Sequence, residues 1–140
     1  ASTMINDKMP EYTVERAGKI LNRHKKPLNG AKVLILGVAY KQNIDDCRES
    51  PALRVIEEFE KAGTNIDFYD PHVPKYKHKG KMYAGLAAIS PQIVAGYDLV
   101  VITAAHTDVD YEMVAKSAVA VFDTKNAASK AMAREKIELL

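Results

Sequence analysis

The run Lys32-Val33-Leu34-Ile35-Leu36-Gly37 restricts what this chain can become more than any other segment. It is short, unbroken, apolar and closed by glycine. An alternating pattern would mark a strand with one wet face, whereas a continuous run marks a strand covered on both. Three more segments read as strands: Asn65 to Tyr69, Asp98 to Thr103 and Ala118 to Asp123. Between the first two, Ser50-Pro51 begins a helix, with Ser50 as N-cap and Pro51 at the first helical position. Leu53, Ile56, Phe59 and Ala62 give that helix its buried face, and Gly63 ends it. Strand, loop, helix, strand is a βαβ unit.

The rest of the chain extends the pattern. Ser90-Pro91 starts a short helix and Tyr111 to Ser117 a further one. Ala127 to Leu140 is expected to be a helix with an extended end, and Pro71 to Gly85 a loop. Near the start, Pro10, Val14, Ala17, Gly18 and Leu21 share one helical face, with Pro10 in the first turn. The basic turn Arg23-His24-Lys25-Lys26 follows, and Pro27 and Gly30 stop the helix. The predicted fold class is α/β, a Rossmann-like doubly wound parallel sheet in a single domain preceded by the end of a long helix.

Composition narrows the function classes. The 140 residues are enough for one domain with a buried core. With 47% hydrophobic and 27% charged residues, a disordered tail and a fibre are excluded. A net charge of +2 is too small for a typical nucleic-acid binder. The lone Cys47 permits neither an internal disulfide nor a four-cysteine metal site. The longest apolar stretch, Asp98 to Ala105, is far short of the roughly 20 residues a membrane helix needs. No basic-then-apolar leader opens the chain. The expectation is a cytoplasmic domain with no membrane and no nucleic-acid partner.

In an open α/β sheet the ligand lies outside the carboxyl ends of the strands. That rule selects Gly37 to Ser50, Tyr69 to Pro71, His106 to Asp110 and Asp123 to Asn126. The loop after Gly37 lacks the G-x-G-x-x-G that lets backbone approach a pyrophosphate. Lys41 as a point charge and Arg48 as a fork can meet phosphate instead, or pair with Asp45, Asp46 and Glu49 at the surface. Asp70 either takes a ribose hydroxyl or opens a turn with Pro71. Cys47 beside Arg48 is a thiol nucleophile or, more simply, a small packed residue, since no Cys/His spacing accompanies it. His24, His72, His78 and His106 follow no metal-ligand spacing, so no metal is expected. His106-Thr107-Asp108 reads as a helix-capping turn, with ligand contact as the alternative. The run Lys75 to Lys81 with Tyr76 and Tyr83 reads as a solvated surface rather than a groove for single-stranded nucleic acid.

The string Leu34-Ile35-Leu36-Gly37-Val38-Ala39-Tyr40-Lys41 stands with Asn43-Ile44-Asp45-Asp46, Arg48-Glu49-Ser50-Pro51-Ala52 and Tyr69-Asp70-Pro71. Together they resemble the C-terminal UDP-binding domain of the UDP-glucose/GDP-mannose dehydrogenase family. Within it they look most like the branch that oxidises UDP-N-acetylglucosamine or UDP-N-acetylmannosamine. Asn6 with Met9-Pro10, Asp108-Val109-Asp110-Tyr111 and Asp123-Thr124-Lys125-Asn126 extend the resemblance.

The resemblance implies a division of labour. Residues 1–28 would be the end of a central dimerisation helix with its linker, and 29–140 a UDP-sugar-binding domain. The cofactor NAD would be held mainly by an N-terminal domain outside this chain, and the whole enzyme would be a homodimer oxidising a sugar C6 alcohol to a carboxylate. Tyr40, Lys41 and Lys125 would contact the UDP-sugar, and Arg48 would point toward the NAD. Lys125 stands where relatives carry arginine, keeping the charge without the planar fork. No catalytic residue is expected here, because Cys47 does not match the family's cysteine nucleophile. The chain alone would then be inactive. The competing expectation is a free-standing α/β nucleotide-binding or interaction module without catalysis.

Overall fold

The computed structural model describes residues 2–39, 50–128 and 136–139. In chain order the elements are α1 (Ser2–Arg23), β1 (Lys32–Leu36), α2 (Pro51–Lys61), β2 (Asn65–Tyr69), β3 (Lys75–His78), β4 (Lys81–Ala84), α3 (Pro91–Ala95), β5 (Leu99–Ile102), α4 (Tyr111–Ser117), β6 (Val121–Asp123) and β7 (Ile137–Leu139). Five strands form one sheet in the order β2-β1-β5-β6-β7, and every pairing in it is parallel.

The apolar runs form the middle of this sheet for the expected reason. Val33, Ile35, Leu99, Val101 and Phe122 face one layer, where α1 contributes Val14, Ala17 and Leu21 and α2 contributes Leu53, Ile56 and Phe59. Leu34, Leu36, Val100, Ile102 and Val121 face the other, against Val94 of α3 and Val114 and Ala115 of α4. Successive residues of a strand point to opposite faces, so two buried faces require an unbroken apolar run. The Ser-Pro starts hold as well. Ser50 accepts from the Ala52 amide at 3.3 Å, and Ser90 from the Ile93 amide at 3.2 Å. Among the described residues, no helix is long and apolar enough to cross a membrane.

Three expectations are corrected. Pro10 lies inside α1 rather than in its first turn. There it lacks the N–H that would bond one turn back, and the helix carries that loss within a longer span. The last strand before the C-terminal region starts at Val121 rather than Ala118, because the Ala118 amide still closes α4 by donating to the Val114 carbonyl. Of the C-terminal stretch the described residues give β7, parallel to β6, at the end expected to be extended, and the helix expected before it falls mostly on 129–135, outside the described residues. Arg16 and Arg23 of α1 hold this edge strand by pairing with Glu138, and Arg16 also donates to the Leu139 carbonyl.

The largest correction is Pro71 to Gly85, which contains the antiparallel hairpin β3–β4 instead of plain loop. Lys79 and Gly80 turn it with φ of +51° and +81°, the two positive values that match a tight hairpin to the strand twist. Tyr76 is buried, stacks on Tyr83 at 4.9 Å and meets Phe68 of β2 at 5.1 Å. The lysines of the basic run face outward, where Lys79 and Lys81 pair with Glu57 and Glu60 of α2 at 2.9 Å each. Lys79, with His78, holds the Glu57 carboxyl below its ordinary range. After the hairpin, the Leu86 amide donates to the Phe68 carbonyl on the open side of β2.

Two predictions follow from this packing. Gly37 has φ +89°, and a Cβ there would lie 2.6 Å from the Ala104 side chain and 2.7 Å from its carbonyl oxygen. Gly37→Ala is expected to lower unfolding free energy by about 2 kcal/mol or more in urea titration, from strain and clash together. Tyr97 donates to Asp67 of β2 at 2.6 Å, and burial, then that hydrogen bond, pushes its phenol well above the ordinary value. Because the folded state favours the protonated phenol, its contribution is full below about pH 10 and is lost as pH rises further. Tyr97→Phe is expected to cost about 1 kcal/mol at neutral pH. Its deficit against the parent should shrink above about pH 10.

Candidate functional site

Strand order sets the place to look. From β1 the chain passes through α2 to β2 on one side, and the sheet resumes on the other side of β1 with β5. The order reverses there, which makes the carboxyl ends of β1 and β5 the switch point where such sheets bind ligands. Gly37 seals the floor of this crevice by lying against Ala104, and the Thr103 hydroxyl donates to the Gly37 carbonyl. In a dinucleotide fold the glycine after the first strand leaves room for pyrophosphate. Here a Cβ at position 37 would meet Ala104, so the turn packs closely on the segment after β5.

Asp70, at the end of β2, organises the edge. Its carboxylate is buried at 3% exposure. Oδ2 accepts from the amides of Val38 at 2.8 Å and Ala39 at 3.0 Å, and Oδ1 from the amide of His72 at 2.8 Å. The His106 ring approaches Oδ2 through Nε2 at 3.0 Å. A carboxylate oxygen accepts, so Nε2 is the donor, and Oδ2 takes three donors while Oδ1 takes one. Asp70 does open a turn, through His72, but its charge faces inward and not toward a ribose.

His106 is 1% exposed and its amide donates to the Tyr111 hydroxyl at 3.0 Å. Burial raises the pKa of that phenol. The His106 carbonyl accepts from the Val109 amide at 3.5 Å, so His106 opens the turn that leads into α4, and Asp110 caps the helix by accepting from the Met113 amide at 3.1 Å. The His106 ring lies 4.8 Å from that of His72, whose Nε2 meets Asp108 at 3.2 Å. One donor atom each from His72, His106 and Asp108 fall within 4.8 Å of one another. Linear spacing had no means of showing that grouping. Each histidine's Nε2 faces a carboxylate, so the cluster is a chain of two His–Asp pairs.

At the end of β6 the same device recurs. Asp123, 1% exposed, accepts from the amides of Lys125 at 3.1 Å, Ala127 at 3.0 Å and Ala128 at 2.8 Å. The turn passes through Asn126 at φ +54°, and the Thr124 hydroxyl ties it to the Ile102 carbonyl of β5 at 2.6 Å. Lys125 is exposed at this carboxyl edge. Of the site residues named from sequence it alone lies among the described residues; Tyr40, Lys41 and Arg48 fall outside them, as does Cys47. The residues that sequence reasoning missed are Asp123 and His106 in their inward roles. An aspartate directly after a buried strand was the available signal.

The fold agrees with comparison to known proteins. Residues 34–130 match the model of the UDP-glucose/GDP-mannose dehydrogenase family, UDP binding domain. The chain is 36% identical over 126 residues to UDP-N-acetyl-D-mannosamine dehydrogenase of Methanocaldococcus jannaschii, covering 90% of this chain and 25% of that protein. It is 31% identical over 130 residues to protein CapL of Staphylococcus aureus, covering 89% and 30%. The solved structure of UDP-D-ManNAc dehydrogenase from Pyrococcus horikoshii is similar over 97% of this chain and 31% of that one, with TM-score 0.75 and 25% identity. The chain therefore belongs to the UDP-glucose/GDP-mannose dehydrogenase family, as its UDP-binding domain. It spans about a quarter to a third of the length of these relatives.

The Asp123 turn yields a direct test. Asp123→Ala leaves three amides without their acceptor, and is expected to cost about 2–3 kcal/mol in urea unfolding. Lys125→Ala, an exposed change, is expected to stay within about 0.5 kcal/mol of the parent.

Proposed function

We propose that this chain binds a UDP-sugar at the carboxyl edge of its sheet and is the nucleotide-sugar-binding part of an NAD-dependent 6-dehydrogenase. The observation that carries this reading is the family match over 34–130, which contains the end of β1, all of β2, β5 and β6, and the loops that follow them. The sugar class is UDP-N-acetylhexosamine, supported by relatives named UDP-N-acetyl-D-mannosamine dehydrogenase and UDP-N-acetyl-D-glucosamine 6-dehydrogenase. The reaction would oxidise the C6 alcohol to a carboxylate with NAD as acceptor.

Within this reading Tyr40 and Lys41 follow directly from the β1 turn and meet the UDP-sugar. Lys125 reaches it from the end of β6, and Arg48 points toward NAD held by an N-terminal domain. Residues 1–28 form the end of the central helix with its linker, 29–140 bind nucleotide-sugar, and the whole enzyme is a cytoplasmic homodimer. The sequence after Gly37 lacks the G-x-G-x-x-G pattern, which supports placing NAD elsewhere. Each charge-assisted phosphate contact contributes about 1.5–3 kcal/mol.

Calorimetric titration of the chain with UDP tests the assignment. Binding is expected at or below millimolar ligand, and Lys41→Ala should weaken it about tenfold or more. A complete dehydrogenase carrying this domain should form NADH faster with UDP-N-acetylhexosamines than with UDP-glucose. If millimolar UDP gives no heat and no amide shifts by NMR, the nucleotide reading fails and the interaction module takes its place.

A further inference from the structure

We infer that the buried Asp70–His106 pair is a positioning device for the nucleotide-sugar site, a role that rests on the UDP-binding reading above. Asp70 is too buried to touch substrate, and its acceptor sites are engaged by protein donors. What it holds is specific. Two of those donors are the consecutive amides of Val38 and Ala39, the last described residues before Tyr40 and Lys41. The backbone that leads into the proposed ligand-binding residues is therefore fixed by a charge from β2.

The direction of that carboxylate is fixed in turn from β5. His106 is enclosed on the far side of the crevice, and its Nε2 holds the same oxygen that receives the two amides. His106 is anchored through its amide to Tyr111 of α4 and through its ring against His72. The groups facing the pair are thus His72 with Asp108 on one side and Tyr111 on the other. Gly37 lets the turn lie close enough to β5 for one carboxylate to reach both strand ends. A chain that needed only a stable turn here could close it with Asp70 and the local His72 amide; the bonds to Val38, Ala39 and His106 join three strand ends into one frame.

The test measures UDP affinity and stability on the same variants. Asp70→Asn and His106→Leu are expected to weaken UDP binding about tenfold or more, because small misplacement of contact groups is costly. His106→Gln, which keeps an N–H for Asp70, should bind UDP close to the parent. Phe59→Leu, at the far end of α2 before β2 begins, serves as a control that loses core packing without touching the crevice. It should lower the unfolding midpoint yet leave UDP affinity unchanged. If Asp70 acts through Lys41, Asp70→Asn should add little to the loss already caused by Lys41→Ala. Parent-like UDP affinity in Asp70→Asn, or equal loss in Phe59→Leu, overturns the positioning role alone. No UDP binding by the parent overturns the nucleotide reading, and this role with it.

Discussion

A buried carboxylate must be satisfied wherever it lies, and Asp70 is satisfied by donors from three separate stretches of chain: Val38 and Ala39, His72, and His106. An unpaired charge in that position would cost several kcal/mol. The ends of β1, β2 and β5 are consequently not free to settle independently. Once the sheet is formed, the carboxyl edge has one arrangement that leaves no charge exposed to an apolar interior. Asp123 applies the same constraint at the end of β6, gathering the amides of the turn that carries Lys125. Both aspartates are buried among N–H donors, so these two anions face inward, while Lys125, Asp108 and Asp110 face solvent.

The core was legible in the sequence because burial on two faces demands continuous apolar strands, and Val33 to Leu36 and Leu99 to Ile102 meet that demand without interruption. Ser50-Pro51 and Ser90-Pro91 were equally readable, since a cap acts within three residues of itself. The hairpin was harder. β3 alternates lysine with Tyr76, β4 carries Lys81 and Tyr83, and Lys79 and Lys81 find their partners on α2, which is local in space but not in sequence. β7 is three residues long and is held by arginines from α1, so its strand character comes from tertiary contacts that no short window contains. Pro10 shows the opposite failure: a strong local preference for a helix start is overridden by the length of α1.

For the site, the rule that ligands gather at strand ends selected Gly37, Asp70, His106 and Asp123 from a chain whose motifs lack the usual glycines. Which way each side chain turns was not readable. Asp70 was open to two roles because its alternatives, ribose or turn, differ only in where its donors lie. Those donors are brought by β1 and β5, which are its neighbours through the sheet order alone. Pairing of His106 with Asp70 and of His72 with Asp108 depends on the same order.

The hairpin also changes what this molecule can do with its neighbours. β2 is the outermost strand on its side and would present a row of open backbone groups to any passing strand. The segment after β4 already takes the Phe68 carbonyl, and the tyrosine pair of the hairpin lies over the Phe68 ring. Outside that cover stand lysines fastened to α2. One outward backbone group of this margin, the Phe68 carbonyl, is thereby already taken where a second molecule would need a bare template. Stacking of sheets edge to edge is discouraged at β2 by the stretch of chain that carried the least promise of structure.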